Sequence, residues 1–140
     1  MRQIRLAVAV AMAVSIMAGG AVAQRAEDAF GVWRHPENGS HVKMYACGTR
    51  LCASIQKITD DQKADDKNPD ASKRSRPIIG LVILSAKKVA PNKWSGRMYN
   101  RADGKTYTGT ITVSGRGSLS LSGCTMAIFC KSAVWTRVGG

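Results

Sequence analysis

From residue 30 onward, apolar residues in this chain recur at every second position, in short runs cut off by Gly, Asn, Asp or Pro. Thr106–Val113 shows the pattern most cleanly. Threonines at 106, 108, 110 and 112 alternate with Tyr107, Gly109, Ile111 and Val113. Successive side chains of a strand point to opposite faces, so this period writes a sheet with one apolar and one wet face, the threonines facing water. The same reading gives strands over Phe30–Arg34, Ser40–Ala46, Ala53–Ile58, Ile78–Leu84, Lys93–Asn100, Ser118–Ser122 and Ser132–Val138. Val42, Met44 and Ala46 share a face, as do Leu119 and Leu121. Ile78–Leu84, the most apolar of these, reads as a buried strand. Asn38-Gly39 is a hairpin signal, because both residues tolerate positive φ. Cys47–Cys52, Arg101–Gly104 and Ser114–Gly117 mark further turns. About eight strands on mostly short connections favour an antiparallel meander, and such a sheet loses its edges by closing into a barrel. A sandwich of two sheets is the alternative.

The first 23 residues do not follow this pattern. Arg2 and Arg5 precede an apolar run from Leu6 to Met17, and small residues end it at Ala21-Val22-Ala23. These are the three parts of a secretory signal peptide, so cleavage after Ala23 is expected. The run is too short for a membrane anchor of roughly 20 apolar residues. Gln24, not cysteine, follows the cut, so no lipid anchor is expected. The domain organisation is then a signal peptide, 1–23, and one domain, 24–140, exported to the periplasm of a Gram-negative bacterium or secreted, with no membrane span and a monomeric state.

The cysteines agree with export. Cys47, Cys52, Cys124 and Cys130 form an even set, which in an oxidising compartment reads as disulfides. Three connectivities are possible; Cys47–Cys52 and Cys124–Cys130 are favoured because each closes a short local loop. The spacings are loose for zinc. Without Arg2 and Arg5 the chain keeps 19 basic and 9 acidic residues, a net charge of +10. Five of those acids lie between Asp60 and Asp70, so the remainder is more basic still. A surface of this kind attracts anions.

Thr59–Pro77 interrupts the alternation. Ten of the residues from Asp60 to Arg76 are charged, and Pro69 and Pro77 break them up. This predicts a long loop with one helical turn near Pro69–Lys73. Loops of that length in compact domains are functional or disordered.

Gly31-Val32-Trp33 on the first strand and Arg137 on the last are similar to a pattern of the lipocalin and fatty-acid-binding superfamily, in which the arginine packs over the tryptophan. More specifically, Gly31-Val32-Trp33, the Cys47/Cys52 pair, Asn68-Pro69-Asp70, Arg74–Leu81, Trp94-Ser95-Gly96, Tyr99-Asn100, Asp103–Tyr107, Gly123-Cys124 and Trp135-Thr136-Arg137 together resemble the bacterial family known as domain of unknown function 2147. The resemblance runs from Phe30 to Val138. It implies an exported, single-domain, lipocalin-like protein and no particular activity.

Catalytic chemistry finds little support. There is no Gly-x-Ser-x-Gly elbow, the thiols are committed to disulfides, and the acids sit in a loop where solvent keeps them ordinary. His35 and His41 flank a turn but lack a third ligand, and the Asp65–Asp70 stretch lacks the glycine and glutamate of a calcium loop. No catalytic residue, metal or cofactor is expected. Arg74 and Arg76 could clamp an anion, or pair with Asp65, Asp66 or Asp70 and pin the loop; pinning is preferred. The expectation is an all-β, antiparallel, about eight-stranded lipocalin/fatty-acid-binding-like barrel that binds a lipid or an anionic or amphipathic small molecule. Trp33, Tyr99, Tyr107 and Trp135 would form its walls, Arg74 and Arg76 would supply charge, and Arg137 completes the ligand-binding set. The alternative is a cell-envelope protein-interaction module with a filled barrel, docking through residues 60–76. Nucleic acid is not an expected partner.

Overall fold

The computed structural model describes residue 13, residues 24–125 and residues 129–139. The leader expected over 1–23 lies outside the described residues but for residue 13. Eight strands form one closed barrel in chain order. They are β1 Gly31–Arg34, β2 His41–Cys47, β3 Arg50–Lys57, β4 Val82–Ala90, β5 Lys93–Asn100, β6 Lys105–Val113, β7 Ser118–Thr125 and β8 Phe129–Gly139. All neighbours are antiparallel, and β8 closes on β1 through Trp33↔Arg137 and Arg34↔Thr136. Closure removes the free edges a sandwich would keep.

The strand directions give the barrel two unlike ends. The connections 35–40, 58–81 and 101–104 lie at one end, where β7 ends and β8 begins; 48–49, 91–92 and 114–117 lie at the other. The second end is closed. A 3-10 turn at Ala26–Ala29, which the alternation does not announce, plugs it. Ala26 N–H donates to the Pro91 carbonyl at 2.7 Å. The indoles of Trp33 and Trp94 donate to the carbonyls of Ala29 and Ala26, at 2.8 and 2.7 Å. Above the plug, Trp33, Met44, Leu51, Leu84, Ile111, Val113 and Leu119 fill the barrel in one buried cluster. Each contributes about 1.5–3 kcal/mol by leaving water. The wall of β6 is as its alternation predicts: Gly109, Ile111 and Val113 are buried, while Thr106 and Thr108 are exposed.

Both disulfides join adjacent strands, Cys47–Cys52 across the β2–β3 turn near the closed end and Cys124–Cys130 across β7 and β8 near the open end. The β1–β2 connection is longer than a two-residue hairpin. His35 N–H donates to the Ser40 carbonyl, and Gly39, at φ 72°, returns its N–H to the His35 carbonyl.

Ile78–Leu84 is not one buried strand. Ile78 and Leu81 are buried with Ile55 in a small separate cluster, while Ile79 and Val82 are each 52% exposed. Gly80, at φ 86°, turns the chain between them and donates to the Ile55 carbonyl at 2.7 Å. The strand starts at Val82 and runs to Ala90, with Leu84 and Ala86 inside. The run is so apolar because it serves twice, first anchoring the long loop and then entering the wall.

Candidate functional site

Towards the open end the packed interior gives way to a cavity of about 400 Å3. Val42, Ile55, Ile83, Met98, Leu121 and Trp135 supply apolar wall, joined by Tyr99 and Tyr107. The space exists because several inward positions are small. Gly109 pairs with Gly123, and Leu121 with Ala133. A Cβ on Gly109 or Gly123 would meet Met98 Cε at 3.1 or 3.2 Å, so the missing side chains let Met98 lie flat along the wall.

The rim is polar, and its charges are matched. Arg101 grips Asp60 with both terminal nitrogens, at 3.0 and 2.5 Å, and also donates to Gln62 Oε1 at 2.7 Å. The Arg101 hydrogen bond holds the Asp60 carboxyl below its ordinary range. Lys131 Nζ lies 2.8 Å from Glu37 Oε1 and lowers that carboxyl in the same way. His35 packs edge-on against Trp135, ring centroids 4.7 Å apart. Its Nδ1 accepts from the Glu37 and Asn38 N–H groups at 3.1 and 3.4 Å, so the neutral ring carries its proton on Nε2. Burial lowers the His35 pKa. Below the rim, Ser40 Oγ is buried on the cavity wall without a hydrogen-bond partner among the described residues. An unpaired buried hydroxyl costs about 1–3 kcal/mol, which a polar group on a bound molecule would recover.

Asp65 ties the long loop to this wall. The sequence reading places it among solvated acids, but its side chain is fully buried. It accepts from Tyr99 Oη at 2.5 Å, from Asn68 Nδ2 at 2.8 Å and from Arg76 Nη2 at 2.8 Å. Burial pushes its carboxyl up, and these three donors together outweigh burial and hold it below the usual value. Burial and the Asp65 contact push the Tyr99 phenol up to about 12. Arg74 Nε donates to the Asn68 carbonyl at 2.8 Å. The loop also carries a 3-10 turn at Ala71–Lys73, close to the helical turn expected there.

The residues singled out from sequence therefore separate. Tyr99, Tyr107 and Trp135 converge on the cavity. Trp33 does not: it is fully buried in the filled half. Arg137 lies with it at the closed end, 4.4 Å above its ring, donating to the Phe30 carbonyl at 2.8 Å and to those of Asp28 and Arg116. Arg74 and Arg76 pin the loop and do not line the cavity. His35 faces the cavity and His41 the outside, so the two do not share a ligand. Sequence reasoning missed His35, Ser40, Met98 and Arg101 as cavity residues. Their positions depend on which end of the barrel each turn occupies, which no local pattern encodes.

A closed eight-stranded barrel with a plugged base, an arginine over the first-strand tryptophan and an open cavity is a lipocalin-like barrel. Over residues 31–137 the chain matches, and belongs to, the family described as uncharacterized proteins conserved in bacteria (DUF2147). Protein HP1028 from Helicobacter pylori, described as a member of the lipocalin family, is similar in structure, with a TM-score of 0.70 and 22% identity over 79% of this chain and 82% of that one. A redesigned β-barrel aligns with a TM-score of 0.49 and 11% identity, over 84% of this chain and 98% of its own. No curated protein matches.

Proposed function

We propose that this protein is exported by a leader cleaved after Ala23 and binds a small amphipathic molecule without transforming it. The observation that carries this reading is the open-end cavity, whose apolar walls pass directly into a polar rim. Its volume of about 400 Å3 falls at the low end for small-molecule sites, about 300–1,000 Å3. It suits one short apolar group bearing a polar head. Ser40 Oγ and the His35 ring offer hydrogen bonds near the head, and the paired rim charges leave little net field for a free ion. The two disulfides fit an oxidising compartment outside the cytoplasm. No helix among the described residues is long and apolar enough to cross a membrane. The docking alternative draws support from the Asp65 hub, which fixes residues 60–76 as an ordered charged surface.

Native mass spectrometry of the protein purified from its own cell envelope should find a chain beginning at Gln24 with a small-molecule adduct. In solution, the neutral dye N-phenyl-1-naphthylamine should bind and quench Trp135. Ala133→Trp, which fills the cavity, should weaken that binding at least about tenfold with an unchanged circular dichroism spectrum. Dye binding unaffected by the plug would reject the cavity as the site.

A further inference from the structure

Charge is sorted by structural element in this molecule. None of the eight strands contains an Asp or a Glu. Glu27 and Asp28 lie in the closed-end plug, and every other acid lies in an open-end connection. The outer wall of the barrel therefore carries no carboxylate of its own, and in one place two of its cations flank a histidine in a single row. Arg34 on β1 pairs directly with His41 on β2, and His41 with Lys57 on β3. Arg34 and Lys57 thus stand on either side of the His41 imidazole. Among the described residues, Arg34, His41 and Lys57 form no ion pair and donate no side-chain hydrogen bond, although Arg76, Lys88, Arg101 and Lys131 all find carboxylates.

These three side chains border a shallow hollow on the outer face, together with Thr59 and Thr136. Thr136 is the cross-strand partner of Arg34 and continues the same row. The Thr59 hydroxyl is already spent on the Asn38 carbonyl, at 2.6 Å. Among the described residues, no acidic one borders the hollow. A guanidinium fork, an ammonium, an imidazole and a free hydroxyl converging on one depression are the donors that a tetrahedral oxyanion takes up, the guanidinium offering two parallel N–H groups and the ammonium a mobile point charge.

We propose that the hollow bordered by Arg34, His41 and Lys57 is a binding site for a phosphate group, separate from the cavity and on the outside of the barrel. Binding there gives the two cations, Arg34 and Lys57, charge-assisted hydrogen bonds, so the occupied protein is more stable than the empty one. The phosphate could be a free anion or the head of an anionic phospholipid, and the chemistry of recognition is the same.

The test uses the purified protein, its Arg34→Gln/Lys57→Gln variant, and an Arg97→Gln/Lys105→Gln variant. The last removes the same charge from exposed wall positions on β5 and β6. Inorganic phosphate is titrated against chloride at matched ionic strength, by calorimetry and by melting temperature. Vesicles of phosphatidylcholine with and without phosphatidylglycerol are tested by cosedimentation. Phosphate binding with a raised melting temperature assigns a free-anion site; binding to phosphatidylglycerol vesicles alone assigns a headgroup site. Either result supports the proposal if Arg34→Gln/Lys57→Gln weakens it about tenfold or more and Arg97→Gln/Lys105→Gln less than about twofold. Equal losses in the two variants would reduce the effect to the general field of a cationic wall and overturn the site. So would the absence of binding in both formats. The dye assay of the cavity should be unchanged in Arg34→Gln/Lys57→Gln, which keeps the two sites distinguishable.

Discussion

Gly31→Ala should be among the most damaging single-methyl changes available in this protein. Gly31 adopts φ 138°, where a residue with a Cβ is strained by about 1–3 kcal/mol. A Cβ there would also lie 2.1 Å from Arg137 Nη1 and 2.8 Å from the Gly139 carbonyl oxygen. Arg137 would have to leave. Its departure removes a cation–π contact of about 0.5–2 kcal/mol with Trp33. It also removes at least one charged hydrogen bond to the plug carbonyls, of about 1.5–3 kcal/mol. The lower bounds together give a loss of at least about 3 kcal/mol, a large part of the 5–15 kcal/mol that holds a small domain. Urea unfolding followed by tryptophan fluorescence measures the loss, and a double-mutant cycle with Arg137→Met assigns it. With the arginine gone, Gly31→Ala should cost only its backbone strain and the contact with the Gly139 carbonyl, so the coupling should reach at least about 2 kcal/mol. Coupling below about 0.5 kcal/mol would show that the glycine is required by the backbone alone and that the arginine could have moved aside.

Three further outcomes follow from the open end. The Asp65 carboxyl is depressed in the folded state, so the stability it contributes is present above the ordinary carboxylate pKa and is lost as pH falls through the depressed value; hydrogen exchange over residues 63–78 should accelerate on acidification, and Asp65→Asn should cost about 1–3 kcal/mol in urea titrations and remove that acid sensitivity. The His35 ring is also depressed, and the unfolded chain takes up its proton first, so stability should fall as pH drops from about 6.5 through the folded value, with the His35 resonance titrating below that of a free histidine in nuclear magnetic resonance spectra. Each disulfide closes a short loop, with sequence separations of 5 and 6, and should contribute about 2 kcal/mol; Cys47→Ser/Cys52→Ser should lower stability and spare dye binding, whereas Cys124→Ser/Cys130→Ser, near the mouth, should lower both, and equal effects on dye affinity would separate neither end from the cavity.

The barrel itself was legible because a period of two leaves little choice. Once Thr106–Val113 and its neighbours are strands, eight of them on short turns can hide their edges by closing. The pairing of Cys47 with Cys52 and of Cys124 with Cys130 followed from the same hairpins. Ile78–Leu84 misled because apolar content reports burial and not backbone path; the cue lay in the alternation of Leu84-Ser85-Ala86-Lys87, which places the wall further on. The pairing of Arg76 with Asp65 was among the expected loop-pinning contacts and is found, but nothing in the charged run around Asp65 marks it for burial. Its burial depends on Tyr99 and Arg76, 34 and 11 residues away. The aromatic residues were assembled by type, and the fold divides them by height: Trp33 belongs to the base and Trp135 to the cavity. Height in a barrel comes from strand direction and tilt, which emerge only when the cylinder is assembled.

The 3-10 plug and the end of β8 lie at the same pole, opposite the mouth. Residues 24 and 139 thus both lie on the far side of the barrel from its opening. A tag, a tether or a fused partner at either terminus would hold the molecule like a cup by its foot. Surface immobilisation through either end is therefore the arrangement in which solutes can still reach the interior unobstructed.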